Sequence, residues 1–89
     1  MSRRALIVSG PAADPRVAQQ LDAVRADAPG AADRELDLHE REAPGFTVEL
    51  VGKDGGVKAR WSDVVGREEL WARIDAMPMR RRELRDAEA

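Results

Sequence analysis

Cysteine and tyrosine are absent from this chain of 89 residues, and aromatic residues make up only 3% of it. Without a thiol, the chain can form no disulfide, no thiolate nucleophile and no zinc or iron–sulfur site with cysteine ligands. Because aromatic side chains are scarce, the core has to be built from aliphatic ones. A chain this short has room for one core. We therefore expect residues 1–89 to form a single domain without thiol chemistry, with a flexible tail at about residues 80–89.

A large charge of one sign is also missing. The 15 Lys and Arg residues nearly balance the 17 Asp and Glu residues, which leaves a net charge of -2 at pH 7. Domains that bind nucleic acid are usually basic, and disordered chains usually combine a high net charge with low hydrophobicity. The composition therefore favours a folded protein and argues against nucleic acid as a partner.

Long hydrophobic runs are the third absence. The apolar run at residues 5–8 is far shorter than the hydrophobic region of a signal peptide or a membrane-spanning helix. We therefore expect a cytoplasmic protein that does not enter a membrane, and the alternative is a secreted protein trimmed from a longer precursor. No motif predicts a cofactor, and the identity of any small-molecule ligand is left open.

The hydrophobic pattern predicts the element order strand, helix, strand, strand, strand, helix. A continuous apolar run at residues 4–9 is typical of a central strand. Asp14 is a good helix cap and predicts a helix over residues 15–28, which the Pro29-Gly30 pair would end. Alternating residues at 35–39 predict a strand with one solvated face.

Residues 46–61 predict a β-hairpin. Asp54-Gly55 is a preferred pair for a two-residue type I′ turn. This turn would place four pairs of residues opposite one another: Leu50 and Ala59, Val48 and Trp61, Glu49 and Arg60, and the less favourable Val51 and Lys58. A bulge at Gly56 would shift the pairing by one or two residues.

The last helix is predicted over residues 67–77, with Leu70, Ile74 and Met77 as its apolar stripe. Pro78 disfavours helical geometry at the residue before it. It should either kink this helix or start a second short one.

Three segments resemble a known family. GKDGGVKARW at residues 52–61 and REELWARIDAMPMRRRE at residues 67–83 are similar to the signature of domain-of-unknown-function family 4174. LIVSGPAADPRVAQQL at residues 6–21 is similar to the beginning of that family. The family is considered thioredoxin-like and related to the DUDES domains of animal extracellular-matrix and sushi-repeat proteins. The resemblance implies an α/β, thioredoxin-like fold and no particular reaction.

The resemblance also implies a helix between the second and third strands, which this sequence has no room for. Only residues 40–45 connect those strands. Five linker residues can span about 17 Å, and passing one strand needs about 10 Å. The linker is therefore long enough for the strand order 2-1-3-4 that the resemblance implies. We predict a mixed four-stranded sheet of this order with a loop in place of the helix, and a meander is the alternative. The missing helix would bare an apolar sheet face, which predicts self-association.

The loop after the first strand is one candidate site. It would place Ser9, Gly10, Asp14 and Arg16 at the amino end of a helix, where free N–H groups favour anions. The alternative is structural, because the Asp14 carboxylate can cap the helix itself. The cis-proline that thioredoxins carry before the third strand is also missing, because Pro44 is out of register.

A second candidate is a partner surface near the C-terminus. Trp, Met and Arg are enriched at protein interfaces, which singles out Trp71, Met77, Met79, Arg80 and Arg81. The alternative is core packing for Trp71 and the methionines. The arginines would then form a solvated tail, because three acidic residues are interleaved with four arginines at residues 80–89.

A third candidate is a metal site at Glu35, Asp37 and His39, which would share one strand face. A solvated strand face is the favoured interpretation of these three residues. The leading functional hypothesis is a non-catalytic thioredoxin-like domain that binds a protein, either itself or another. The alternatives are an enzyme of unknown class that uses Ser9, Asp14 and Arg16, and a weak binder of anions or RNA through the C-terminal arginines.

Overall fold

The computed structural model describes residues 3–88. Within them the chain forms a mixed four-stranded sheet and four helices. The strands are β1 (Arg4–Gly10), β2 (Leu36–Glu42), β3 (Thr47–Val51) and β4 (Val57–Trp61). The helices are α1 (Pro15–Arg25), α2 (Ala28–Asp33), α3 (Arg67–Asp75) and α4 (Pro78–Glu88). None of the helices in this described part of the chain is long and apolar enough to cross a bilayer.

The sheet order is β2-β1-β3-β4, with β1 parallel to β2 and antiparallel to β3. This confirms the predicted order, and the alternative meander is wrong. The connection between β2 and β3 is a loop at residues 43–46, as predicted. Strand β2 runs three residues beyond the predicted 35–39. Glu35 lies outside the strand because its φ of 52° is left-handed.

The crossover between β1 and β2 contains two helices, whereas one helix over residues 15–28 was predicted. Asp14 caps α1 as expected, accepting the Arg16 N–H at 2.9 Å. The helix ends at Arg25, and Pro29 lies inside α2 instead of ending α1. Proline is tolerated in a first helical turn, where its missing N–H has no intrahelical partner anyway. A second cap at Asp27, which accepts the Gly30 N–H at 3.1 Å, therefore allows a new helix to start there.

The hairpin keeps the predicted pairing of Val48 with Trp61, of Glu49 with Arg60 and of Leu50 with Ala59. The predicted type I′ turn is wrong. That turn needs a positive φ at both central residues, and of the predicted pair only Gly55 has one, at 86°. The Gly55 N–H donates to the Gly52 carbonyl at 2.9 Å, so the turn is closed between these two glycines.

A β-bulge follows from this wider turn. Val51 pairs with Val57, so the predicted pair of Val51 with Lys58 is wrong. The bulge lets Lys58 share the side of the sheet on which Ala59 lies, where both line a cleft with Met77.

The core lies on one face of the sheet. Alternate residues of the strands pack there against the buried apolar sides of α1 and α3. Its members are Leu6, Val8, Val17, Leu21, Val24, Leu36, Phe46, Val48, Leu50, Val65, Leu70 and Ile74. Helix α3 ends at Asp75 and Pro78 starts α4, so the second alternative for Pro78 is confirmed.

Candidate functional site

A cleft lies between the β3–β4 turn and the junction of α3 with α4, and we call it the elbow cleft. Its volume is about 320 Å³. Its wall combines apolar and charged side chains: Arg4, Lys53, Asp54, Lys58, Met77, Pro78 and Met79. Two of the segments that carry the family resemblance, residues 52–61 and 67–83, therefore meet at this cleft.

Arg4 lines the elbow cleft from β1, and only 1% of it is exposed. Its guanidinium donates two hydrogen bonds to the Glu83 carboxylate, at 3.2 and 3.1 Å, and one to the Arg34 carbonyl at 2.8 Å. Among the described residues, the Nε atom of Arg4 has no acceptor. A buried donor without an acceptor is costly, so Arg4 retains one unused hydrogen-bonding group.

Lys53 joins the same ion-pair cluster from the hairpin turn. Its ammonium lies 2.7 Å from the Glu83 carboxylate and also contacts Glu35. The hydrogen bonds to Glu35 and Glu83 raise the pKa of Lys53. Burial by itself would raise the pKa of Glu83, but the hydrogen bonds from Arg4 and Lys53 outweigh burial and hold that pKa below its usual value. The cluster thus ties α4 to both β1 and the hairpin.

Arg80 forms a second cluster, between α4 and the crossover helices. It is 4% exposed and lies 2.7 Å from the Asp33 carboxylate and 3.0 Å from the Asp75 carboxylate. Arg34 also bonds Asp75, at 3.0 Å. Burial would raise the pKa of Asp75, but the hydrogen bonds from Arg34 and Arg80 outweigh it and lower that pKa. Arg80 was predicted as part of a partner surface, and the structure instead engages it in internal ion pairs.

The other residues of the predicted partner surface occupy different environments. Met77 and Met79 line the elbow cleft together, and Met79 is 47% exposed. Trp71 is half-buried, and its Nε1 donates to the Asp27 carboxylate at 2.8 Å. Arg81 is exposed on α4. Only the two methionines therefore come together in one feature of the surface.

The β1–α1 loop holds its predicted residues in structural contacts. The Asp14 carboxylate lies 2.8 Å from the Arg16 guanidinium, and hydrogen bonds from the Arg16 side chain and backbone lower the pKa of Asp14. Gly10 is needed for packing, because a Cβ there would lie 2.9 Å from Val17 Cγ2. Ser9 is half-buried on β1. The capping alternative therefore accounts for Asp14.

A family model described as "Domain of unknown function (DUF4174)" matches residues 37–83, more than half of the chain. The chain belongs to the DUF4174 family. No curated protein matched it. The matched range contains both segments that meet at the elbow cleft, and these segments include β4 and α3. It also contains β3. The family description assigns no activity to this DUF4174 domain.

The sheet of the DUF4174 domain has a second face, which we call the open face. Its side chains alternate with those of the core and follow from the strand register: Ala5, Ile7, Ser9, Asp37, His39, Arg41, Thr47, Glu49, Val51, Val57 and Arg60. The buried apolar side chains of α1 and α3 all join the opposite face. Within residues 3–88, the open face is therefore not part of the core.

The open face is less apolar than the sequence suggested. Ala5 and Val51 are buried, at 2% and 7% exposure, and the large exposed apolar side chain on this face is Val57, at 53%. Glu49 and Arg60 form an ion pair of 2.7 Å across it. The prediction of a broad apolar contact face is therefore wrong in extent, because polar side chains occupy much of this face.

Two of the three candidate metal ligands have other partners. Asp37 accepts a hydrogen bond from Arg3 at 2.9 Å, and Glu35 contacts Lys53. Across residues 3–88, no three His, Asp or Glu side chains converge as metal ligands would. His39 is exposed on β2.

The buried charges of the two clusters were missed from the sequence. Arg4 gave one signal, because it is a charged residue at the start of an otherwise apolar strand. Arg80 gave none, because nothing distinguishes it from the exposed Arg81 next to it.

Proposed function

We propose that this DUF4174 domain is a non-catalytic, thioredoxin-like module that works by binding a protein, in the first place a second copy of itself. The sheet order β2-β1-β3-β4, with parallel β1 and β2 joined by a helical crossover, supports the thioredoxin-like scaffold. On this proposal, this domain and the DUDES domains share a scaffold, and this domain, which has no cysteine, carries out no thiol chemistry.

The contacts of the β1–α1 loop support a non-catalytic role. This loop is where a thioredoxin-like scaffold would hold its reactive group. Here the Asp14 carboxylate is bonded to the Arg16 backbone and guanidinium. Arg16 in turn stacks on Phe46, with 4.8 Å between the guanidinium carbon and the ring centre. Asp14 and Arg16 thus hold each other in place, and the contact with the core residue Phe46 also fixes Arg16.

The observation that carries the proposal is the outer edge of strand β2, which is unpaired in the described part of the chain. The loop at residues 43–46 leaves no helix between β2 and β3, and within residues 3–88 strand β2 pairs only with β1. An unpaired edge strand presents free backbone N–H and C=O groups that can pair with another chain. A second copy provides a partner with the same edge.

Sedimentation equilibrium across a dilution series tests the proposal. Concentrations from about 1 μM to about 1 mM cover association free energies of roughly -8 to -4 kcal/mol. We expect the average mass to rise from one chain towards two. A folded single chain at the highest concentration would contradict self-association.

A second candidate function is binding of a small organic anion in the elbow cleft, and the combination of apolar and cationic side chains in its wall favours it. Met77 and Met79 offer an apolar wall that can adapt to a ligand, and the Lys58 side chain, which is 39% exposed, offers an accessible cationic donor. Titration with benzoate, followed by the NMR signal of the Met79 methyl group, tests it, with benzamide as the uncharged control. An unchanged Met79 signal would remove this candidate.

A further inference from the structure

The outer edge of β2 is regular and unpaired. All 7 residues of β2 pair in continuous register with β1, and no other strand within residues 3–88 pairs with β2. The opposite edge of the sheet, β4, has only 5 residues, with a bulge beside Lys58. Short length, bulges and lysine hinder pairing at an edge. Strand β2 is therefore the better template for an added strand.

Two hydrogen bonds fix which backbone groups of β2 point outward. The Arg4 N–H donates to the Glu35 carbonyl at 2.9 Å, and the Ala43 N–H donates to the Gly10 carbonyl at 3.0 Å. In a parallel ladder, alternate residues of a strand bond the same neighbour, so the odd-numbered residues of β2 bond β1. The backbone groups that point to the free edge are those of Leu36, Leu38, Glu40 and Glu42.

One antiparallel register pairs all four outward residues with those of a second copy. It has His39 on the two-fold axis and places Leu36 opposite Glu42 and Leu38 opposite Glu40. Each such pair exchanges two backbone hydrogen bonds. A register centred on Leu38 leaves Glu42 unpaired. A register centred on Glu40 leaves Leu36 unpaired and sets two Glu40 carboxylates against each other.

The charges on β2 favour the same register. With His39 on the axis, Asp37 of each copy lies opposite Arg41 of the other. These pairs are the ones without backbone hydrogen bonds, in which Cα atoms are about 4.5 Å apart and side chains interact closely. Arg41 is exposed, and among residues 3–88 no carboxylate forms an ion pair with it. Asp37 bonds Arg3 through one carboxylate oxygen, and both side chains are 46% exposed.

We propose that two copies of this chain join their β2 edges in the antiparallel register centred on His39, so that their sheets become one continuous sheet. The inference rests on the proposed function, since it names the partner as a second copy and β2 as the contact. The two-fold axis is perpendicular to the sheet, so both open faces lie on the same side. On the core side, Arg25 lines a cleft of about 420 Å³ beside Leu38, and the second copy's Glu40 supplies a carboxylate there.

A charge-swap experiment tests the register. Asp37→Arg and Arg41→Asp each set like charges opposite one another in both symmetry-related pairs, so each alone weakens self-association about ten- to hundredfold. An equimolar mixture of the two variants restores a dimer, because the mixed dimer again pairs opposite charges at both positions. Asp63→Arg and Arg81→Asp are matched controls that make the same charge changes at exposed positions away from β2 and leave association unchanged.

Glu40→Pro tests the backbone pairing independently of these charges. The Glu40 N–H points outward, so proline removes a hydrogen bond to the second copy and none to β1. We expect a folded single chain, verified by circular dichroism. A wild-type dimer that survives all three β2 substitutions, or a mixture that fails to restore the dimer, overturns the register and leaves self-association standing. A wild-type chain that stays single overturns both.

Discussion

Replacing Arg80 by alanine should destabilise the domain far more than the same change at its neighbour Arg81. Arg80 donates to the Asp33 carboxylate at 2.7 Å, to the Asp33 carbonyl at 3.0 Å and to the Asp75 carboxylate at 3.0 Å. Hydrogen bonds to charged groups contribute about 1.5–3 kcal/mol each. Asp33 is 66% exposed and regains water in the variant, and Asp75 keeps Arg34, so the losses do not add fully. We expect Arg80→Ala to cost about 2–3 kcal/mol of unfolding free energy.

Urea unfolding followed by tryptophan fluorescence measures this cost. With a denaturant slope of about 1–1.5 kcal/mol per molar for a small domain, the midpoint should fall by about 2 M. Arg81→Ala is the matched control, because Arg81 is exposed on the same helix and should change stability by less than about 0.5 kcal/mol. Arg80→Met keeps much of the aliphatic stem and should lose nearly as much as Arg80→Ala if the charge matters. Equal midpoints for Arg80→Ala and Arg81→Ala would refute the reasoning.

Two further predictions concern pH and the hairpin turn. The pKa of Glu83 is lowered in the folded state, so its stabilisation is complete above the unfolded-state value of about 4.3 and is lost as the pH falls below it. Glu83→Gln should therefore flatten the dependence of unfolding free energy on pH below about pH 5, and an unchanged acid limb would contradict the cluster of Arg4, Lys53 and Glu83. Gly55→Ala should cost about 1 kcal/mol because its φ is 86°. Gly45→Ala, in open space and without a positive φ, should be neutral or stabilising by about 0.4–1 kcal/mol in the same urea assay, and a reversed order would contradict the turn geometry.

The strands could be predicted because their signals are local. The apolar run at β1 and the alternation at β2 reveal strands without knowledge of the rest of the chain. Pairs of matching charge and size across the hairpin predicted its register correctly. The predicted turn type was wrong because a wider turn also uses a left-handed glycine, so the presence of Gly55 does not by itself indicate a type I′ turn. The short β2–β3 connection fixed the absence of a helix there. The sheet order was predicted from the family resemblance, and the length of the β2–β3 connection showed only that this order was possible.

The short helix α2 could not be predicted for a physical reason. Pro29 and Gly30 normally disrupt helices, and only the cap by Asp27 makes them compatible with a first turn. Gln20 shows the same limit in the core. It is fully buried because its amide oxygen accepts the Val65 N–H at 2.8 Å and its nitrogen donates to the Val65 carbonyl at 3.1 Å. A partner 45 residues away leaves no trace in the local pattern.

The position of α4 explains why the candidate site was the least predictable part. No residue of α4 belongs to the apolar core cluster, and its exposed Leu84 adds little burial. The helix is held instead by Arg80 and Glu83, whose partners come from β1, the crossover and the hairpin turn. Hydrophobic periodicity detects only helices that bury apolar side chains, so it does not reveal how a helix is attached when ion pairs hold it. Since α4 starts at the elbow cleft, the geometry of that cleft depends on ion pairs that only the folded chain brings together.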